Sequence, residues 1–377
     1  MKAWAMLALM GLMCGVVGAQ SVREVCPSVG VRPRGAEFTP SGIILTYFDG
    51  AAMWVYDIAR NTRYPLPETV PCAGNCRVSP DFNWITYLDP QTMVYTKMRF
   101  NGTQRTPLLE GASDLFWWSQ DTFLVWTPDH RAYLQREGDF ERDLLPVRGI
   151  ISVQPRGLWA VWLSRGGIGF DRYLLNLEAY RIGGASTPIY LSADVPFYNA
   201  YGWSPNGALF AFVAPTNANA NGVVGAELYL VPMADNAPAP RKVTDLSGQY
   251  GAVRINGATS ASLSWSPDST RVAFWVIPLT GVNPQTNTGN AVLHVFDTRT
   301  GETTRYCGFA TGEHTPNPPS LVWSPDGTTL AWAGNVEGDN KGYLLLAMDA
   351  ANGNITELSE GVFPALGAPN VLAWGNR

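Results

Sequence analysis

Few residues of this chain could carry out chemistry. Its three histidines are His130 in a turn, His294 inside an apolar strand, and His314 in a long loop between Glu313 and Thr315. No two of them have metal-ligand spacing, and His314 is the one placed to touch a ligand. Acidic groups gather twice. Glu137, Asp139, Glu141 and Asp143 surround one turn, where solvation accounts for them. Asn335, Glu337, Asp339 and Asn340 offer the oxygen donors that calcium uses, though without the spacing of an EF-hand loop. A solvated Gly-rich turn explains them as well, and Glu337 and Asp339 remain the calcium candidates. Glycoside chemistry would need two carboxylates facing each other across a cavity, a distance that spacing does not give. Recognition has better material in Tyr198, Tyr201, Tyr250, Arg254, Asn256 and His314, because Tyr and Arg are enriched in binding centres. The competing reading packs these side chains into the loops that bear them. No residue is nominated as catalytic, and no cofactor is expected.

A repeated unit positions these groups. Four-residue turns recur at 39–42, 79–82, 119–122, 154–157, 204–207, 266–269 and 324–327, and the clearest follow a tryptophan: Trp203, Trp265 and Trp323, each leading into Ser-Pro-Asn/Asp. Ser at the first position, Pro presetting φ at the second and Gly at the fourth suit a type I turn. The residue before each turn is large or branched and apolar: Phe38, Val78, Trp118, Val153, Trp203, Trp265 and Trp323. Such a side chain wedges between neighbouring sheets. Each turn leads into an apolar strand, a second strand and a more polar third, giving four antiparallel strands per unit. Seven such units predict an all-β fold, a β-propeller of seven four-stranded blades, with six or eight as alternatives. The terminal Val371, Leu372, Ala373 and Trp374 repeat the first strand of a unit. They are expected to close the ring, either by joining the first blade or by pairing with the N-terminal segment around Val22 and Cys26.

In such a blade the bends between strands one and two and between three and four share a rim. The remaining loops occupy the other. The added length falls there, at 164–172, 215–226, 247–262, 278–291 and 308–320, so blades four to seven carry an elaborated rim. Loops of this length are functional or disordered.

The chain opens with Lys2, an apolar run over 3–17 and Gly18-Ala19, the pattern of a secretory signal peptide cleaved after Ala19. Cys14 permits a lipoprotein reading, but Met13 stands where a small residue is wanted. The expected organisation is therefore a signal peptide over 1–19, an N-terminal segment over 20–34 and one propeller over 35–377, secreted or periplasmic. Cleavage would leave Cys26, Cys72, Cys76 and Cys307, an even set in an oxidising compartment. Disulfides in any of three pairings are expected. A zinc site is disfavoured because no histidine lies nearby in sequence. The formal net charge is −5 with only 15% charged residues, which argues against nucleic acid or anionic membrane as partner. With no second long apolar run, no membrane span is expected.

The Trp-Ser-Pro-Asp-Gly turn at 323–327 and its apolar continuation Leu330-Ala-Trp resemble the TolB-like family of extracytoplasmic propeller repeats, also found in prolyl-oligopeptidase-type peptidases. The resemblance spans residues 35–377, is closest around Trp203, Trp265 and Trp323, and is degenerate at Thr39, Ser119 and Gln154. It implies fold and compartment. The α/β domain that precedes the TolB propeller is not expected before residue 35, and the Gly-x-Ser-x-Gly elbow of the peptidases does not occur. The leading expectation is a monomeric, non-catalytic binding or scaffold module. Its partner would be a protein, peptide or glycan of the cell envelope, bound on the long-loop rim of blades four to seven. The alternative is a propeller hydrolase or lyase for envelope glycans with carboxylates in its funnel.

Overall fold

A computed structural model describes residues 22–47, 53–66, 76–166, 169–183, 187–216, 222, 224–233, 238–257, 263–312, 318–359 and 370–376. The expected signal peptide, its cleavage point and Cys14 lie outside these residues, as do Cys72 and His314.

Seven antiparallel four-stranded blades form a ring. Blade 1 combines the C-terminal strand Asn370–Gly375 with Ile43–Tyr47, Trp54–Asp57 and Thr62–Pro65. Blades 2 to 5 occupy 77–110, 114–144, 150–193 and 201–242, and blades 6 and 7 occupy 253–311 and 322–359. Ring closure follows the first of the two expected routes: Trp374 pairs with Ile44 of blade 1. The N-terminal segment does something else. Val22–Val25 lies parallel to the outer strand of blade 6, and Arg32–Pro33 lies parallel to that of blade 7.

The core follows from this arrangement. An apolar strand buried on both faces cannot alternate, so burial is continuous along Arg271–Pro278 and Thr329–Asn335. Buried side chains fall into seven clusters, one per cleft between blades. Within these clefts three wedge tryptophans repeat one hydrogen bond, while the indole N–H of Trp118 donates instead to Gln154 O of the following blade. The indole N–H of Trp203 donates to Ser152 Oγ, that of Trp265 to Gly202 O and that of Trp323 to Ser264 O, each at 3.0 Å. Each of these three acceptors directly precedes the wedge residue of the neighbouring blade. At the seam between blades 7 and 1 the pattern changes, and Trp374 donates to Ser41 O at 2.9 Å.

The turns are devices of the fold. Ser79, Ser204, Ser266 and Ser324 are buried, and each hydroxyl accepts the N–H of the residue five positions on. The fourth position has positive φ, 72° at Gly207 and 71° at Gly327, which explains glycine there. Asp81, Asp268 and Asp326 sit in these turns. Burial pushes their carboxyls up, and bonds from the Ser hydroxyl and following groups bring them to a net value below the usual range. The three-to-four bends lie on the same rim, as where Thr298 N–H donates to Thr270 O and Ala350 N–H to Thr328 O.

Candidate functional site

The described residues of the opposite rim include regular structure. Residues 164–166 and 169–172 extend a hairpin, with Arg165 paired to Phe170. Residues 247–255 contribute most of a short helix (Leu246–Tyr250) and the strand Val253–Ile255, which pairs with the second strand of blade 6. Two buried charges anchor this rim. Glu227 Oε2 accepts Thr244 Oγ1–H at 2.6 Å and Leu246 N–H at 2.9 Å, while its Oε1 accepts Ser247 N–H at 2.9 Å. A carboxylate thus satisfies otherwise open N–H groups at the start of the Leu246–Tyr250 helix. Arg172 of blade 4 donates to Ser192 Oγ and Val213 O at 2.7 Å and to Asn199 O at 2.8 Å, tying blade 4 to blade 5. Burial lowers its pKa to about 10 against the opposing pull of the nearby Asp194 carboxylate.

The nominated recognition residues are largely enclosed. Tyr198 is buried and donates its hydroxyl to Val224 O at 3.3 Å, and Tyr201 is a buried strand residue beside Phe210. Arg254 is 1% exposed, stacks over Phe197 at 5.1 Å, and is lowered by burial to about 10. Tyr250 is half-buried with its hydroxyl 3.2 Å from His294 Nε2. Asn256 is buried too: its Oδ1 accepts Trp275 N–H at 2.8 Å, and it borders a cavity. Glu337 is exposed and borders a separate polar cleft with Asn290, Asn335 and Asn340. Asp339 lies nearby, its Oδ1 accepting Lys341 N–H. Among the described residues, no group of three His, Cys, Asp or Glu is placed to hold a metal.

The cavity beside Asn256 measures about 350 Å³ and opens on the long-loop rim between Asn256 and Pro318, Pro319 and Ser320. A second cavity of about 450 Å³ reaches the turn rim, where Pro80, Pro155, Pro205 and Pro267 surround it. Both are bordered by Ser264, Trp265, Leu321, Val322 and Leu372, so together they trace one channel along the ring axis. Its walls are mainly apolar and aromatic toward the turn rim, and polar and apolar in about equal measure at the long-loop mouth. Polar groups at the long-loop mouth are Asn256, Ser264 and Ser320, and Arg156 is the one charged residue in the described lining of either part. The mouth is braced from behind by Trp275, whose indole N–H donates to Pro319 O at 2.8 Å. Sequence reasoning missed Pro318 to Leu321 and Leu372. The Pro-Pro pair was the available signal, since it stiffens a long loop that must keep its shape.

His294 is stacked on Phe274 and held by Val292 O at 2.9 Å. Burial lowers its pKa from 6.5 to about 4, with the Val292 carbonyl opposing and the Arg305 and Glu24 charges acting from the outer strands. The unfolded chain therefore takes up this proton first on acidification. Its contribution is constant above about pH 7 and is lost as pH falls from about 6.5 to 4, a loss on the order of 3 kcal/mol. His294→Phe should flatten that limb, leaving the steeper loss below pH 4 to the turn aspartates. Denaturant midpoints measured from pH 7.5 to 4.5 check this; parallel curves for both proteins would refute it.

Cys26 and Cys307 form a disulfide with Cα atoms 5.0 Å apart, fixing the N-terminal segment to blade 6. Cys76 is also disulfide-bonded. No helix among the described residues is long and apolar enough to cross a membrane.

No family model matches the chain, and no curated protein is similar to it in sequence. Solved structures similar in fold include TolB from Acinetobacter baumannii, at 12% identity over 95% of this chain and 98% of that one, with a TM-score of 0.42. Another is a protein of unknown function from Desulfotomaculum acetoxidans, at 10% identity over 90% and 100%, TM-score 0.48. A third is oligogalacturonate lyase from Vibrio parahaemolyticus, at 12% identity over 86% and 87%, TM-score 0.49. These likenesses concern the propeller fold and assign no activity.

Proposed function

We propose that this chain is an extracytoplasmic β-propeller acting as a binding module, with the long-loop mouth of its axial channel as the ligand site. The observation that carries the proposal is the preformed character of that mouth. Leu263, Trp265, Pro318, Pro319, Leu321 and Leu372 are interspersed there with the polar groups of Asn256, Ser264 and Ser320, so the mouth offers both apolar contact and hydrogen bonds to a ligand. Trp275 ties its two sides together, with its backbone N–H on Asn256 Oδ1 and its indole N–H on Pro319 O, so little ordering is required on binding. A peptide, protein segment or glycan of the cell envelope fits this chemistry. The Cys26–Cys307 disulfide supports an oxidising compartment, and the leader over 1–19 would deliver the chain there. N-terminal analysis of the mature protein should begin at Gln20.

Ser320→Trp fills the mouth from a loop position. Crosslinked capture from envelope extract, followed by affinity measurement with the recovered ligand, should show at least a tenfold loss in that variant with an unchanged melting temperature. Equal capture by both proteins would exclude the mouth. Release of a cleaved product from an envelope glycan by the unaltered protein would replace binding by catalysis.

A further inference from the structure

The outer edges of the blades are treated unequally. A sheet edge is a row of open backbone groups, and proteins protect it with proline, charge, brevity or cover. In blade 1 the outer strand Thr62–Pro65 carries Arg63 and ends in proline, and in blade 2 Thr106–Glu110 contains Pro107. Asp143–Leu144 of blade 3 and Arg241–Lys242 of blade 5 are two residues long and charged. Blades 6 and 7 are covered by the parallel strands Val22–Val25 and Arg32–Pro33. Blade 4 differs from all of these. Its outer strand Ile189–Ala193 is five residues long, carries neither proline nor charge between the flanking Pro188 and Asp194, and has no described strand on its outer side.

This edge matches one that already holds an added strand. In blade 7 one extra residue, Leu358, interrupts the outer strand's register, and Arg32–Pro33 pairs with Thr356 and Glu357 just before it. In blade 4 the extra residue is Leu191, and the equivalent positions are Ile189 and Tyr190. Leu358 and Leu191 are both buried, so the bulge seats the strand in each blade and leaves the preceding residues to receive a neighbour. The surface around Ile189 and Tyr190 is aromatic. Tyr190 is 53% exposed and continues a row through Tyr173 and Trp162, with ring centroids 5.6 and 5.7 Å apart. Phe170, 55% exposed, stands at the end of the same hairpin.

We propose that the outer edge of blade 4 receives an extended peptide strand of a partner protein, added in parallel along Ile189 and Tyr190 as Arg32–Pro33 is added to blade 7. Main-chain bonds supply affinity in this mode, and the aromatic row accepts an alternate side chain of the incoming strand. A second copy of this chain is the poorer occupant. The few exposed apolar side chains at this edge fall well short of the roughly 800 Å² per partner that a stable dimer buries.

The test is selection of displayed random nine-residue peptides on the purified protein. Selected peptides should slow amide exchange at 189–193, lose at least tenfold in affinity to Tyr190→Lys, and lose binding when alternate peptide nitrogens are methylated. Tyr190 is exposed, so this variant should fold normally, and Ser320→Trp should leave the binding intact. Failure to enrich any peptide, or indifference to both Tyr190→Lys and methylation, would overturn the proposal. So would light scattering that finds a dimer dissociated by Tyr190→Lys, because the occupant would then be a second copy.

Discussion

Deletion of residues 370–377 should abolish cooperative folding, because it removes the inner strand of blade 1 and the side chain that fills the last cleft of the ring. Trp374 is fully buried in the cluster that joins Ile44 and Tyr56 of blade 1 to Ala331, Ala333 and Ala347 of blade 7. The alanines leave a space that only a large ring occupies. Trp374→Ala alone should destabilise by about 3–5 kcal/mol. The deleted chain should also expose the inner edge of Ile43–Tyr47 and associate through it. Equilibrium denaturation and light scattering check both effects. A sharp, near-native transition in the deleted protein would show that the ring closes by other contacts.

The second large effect concerns the N-terminal clasp. Cys26 and Cys307 are separated by 281 positions, so their link constrains the unfolded chain severely. Replacing both by serine should lower stability by about 4 kcal/mol. Because Val22–Val25 lies on the outside of blade 6, that strand should detach before the ring opens. Amide exchange along Thr303 to Tyr306 should accelerate in the double variant while that of Arg271–Pro278 changes less. A denaturation midpoint unchanged by the substitutions would show that strand pairing alone holds the clasp.

The sequence made the repeating part of this molecule readable because its turns have strict stereochemical demands. Ser324, Pro325 and Gly327 are each required by one hydrogen bond or one dihedral, and Trp374 announced its place by copying Trp323. The added strands gave no comparable signal. Val-Arg-Glu-Val and Arg-Pro satisfy no periodicity, and their positions depend on edges formed more than 270 residues away. Loop residues were harder to read for a related reason. Tyr198 and Arg254 look like surface binders by type, yet the Leu246–Tyr250 helix and the strand after it, which carries Arg254, fold inward and both side chains are buried. Axial residues such as Leu321 and Leu372 could be placed only after the blades had been closed into a ring.

The positions of the two ends also impose a schedule. When the chain emerges N-terminus first, Val22–Val25 and Arg32–Pro33 have no partners until blades 6 and 7 exist, and Ile43–Tyr47 waits for Asn370–Gly375. Segments made before the blades they pair with are therefore among the last to dock. Such distant pairings are slow, and the waiting edges are exposed to wrong partners meanwhile. A chaperone that shields the first 47 residues during synthesis would speed recovery of the native ring more than one acting on its middle blades.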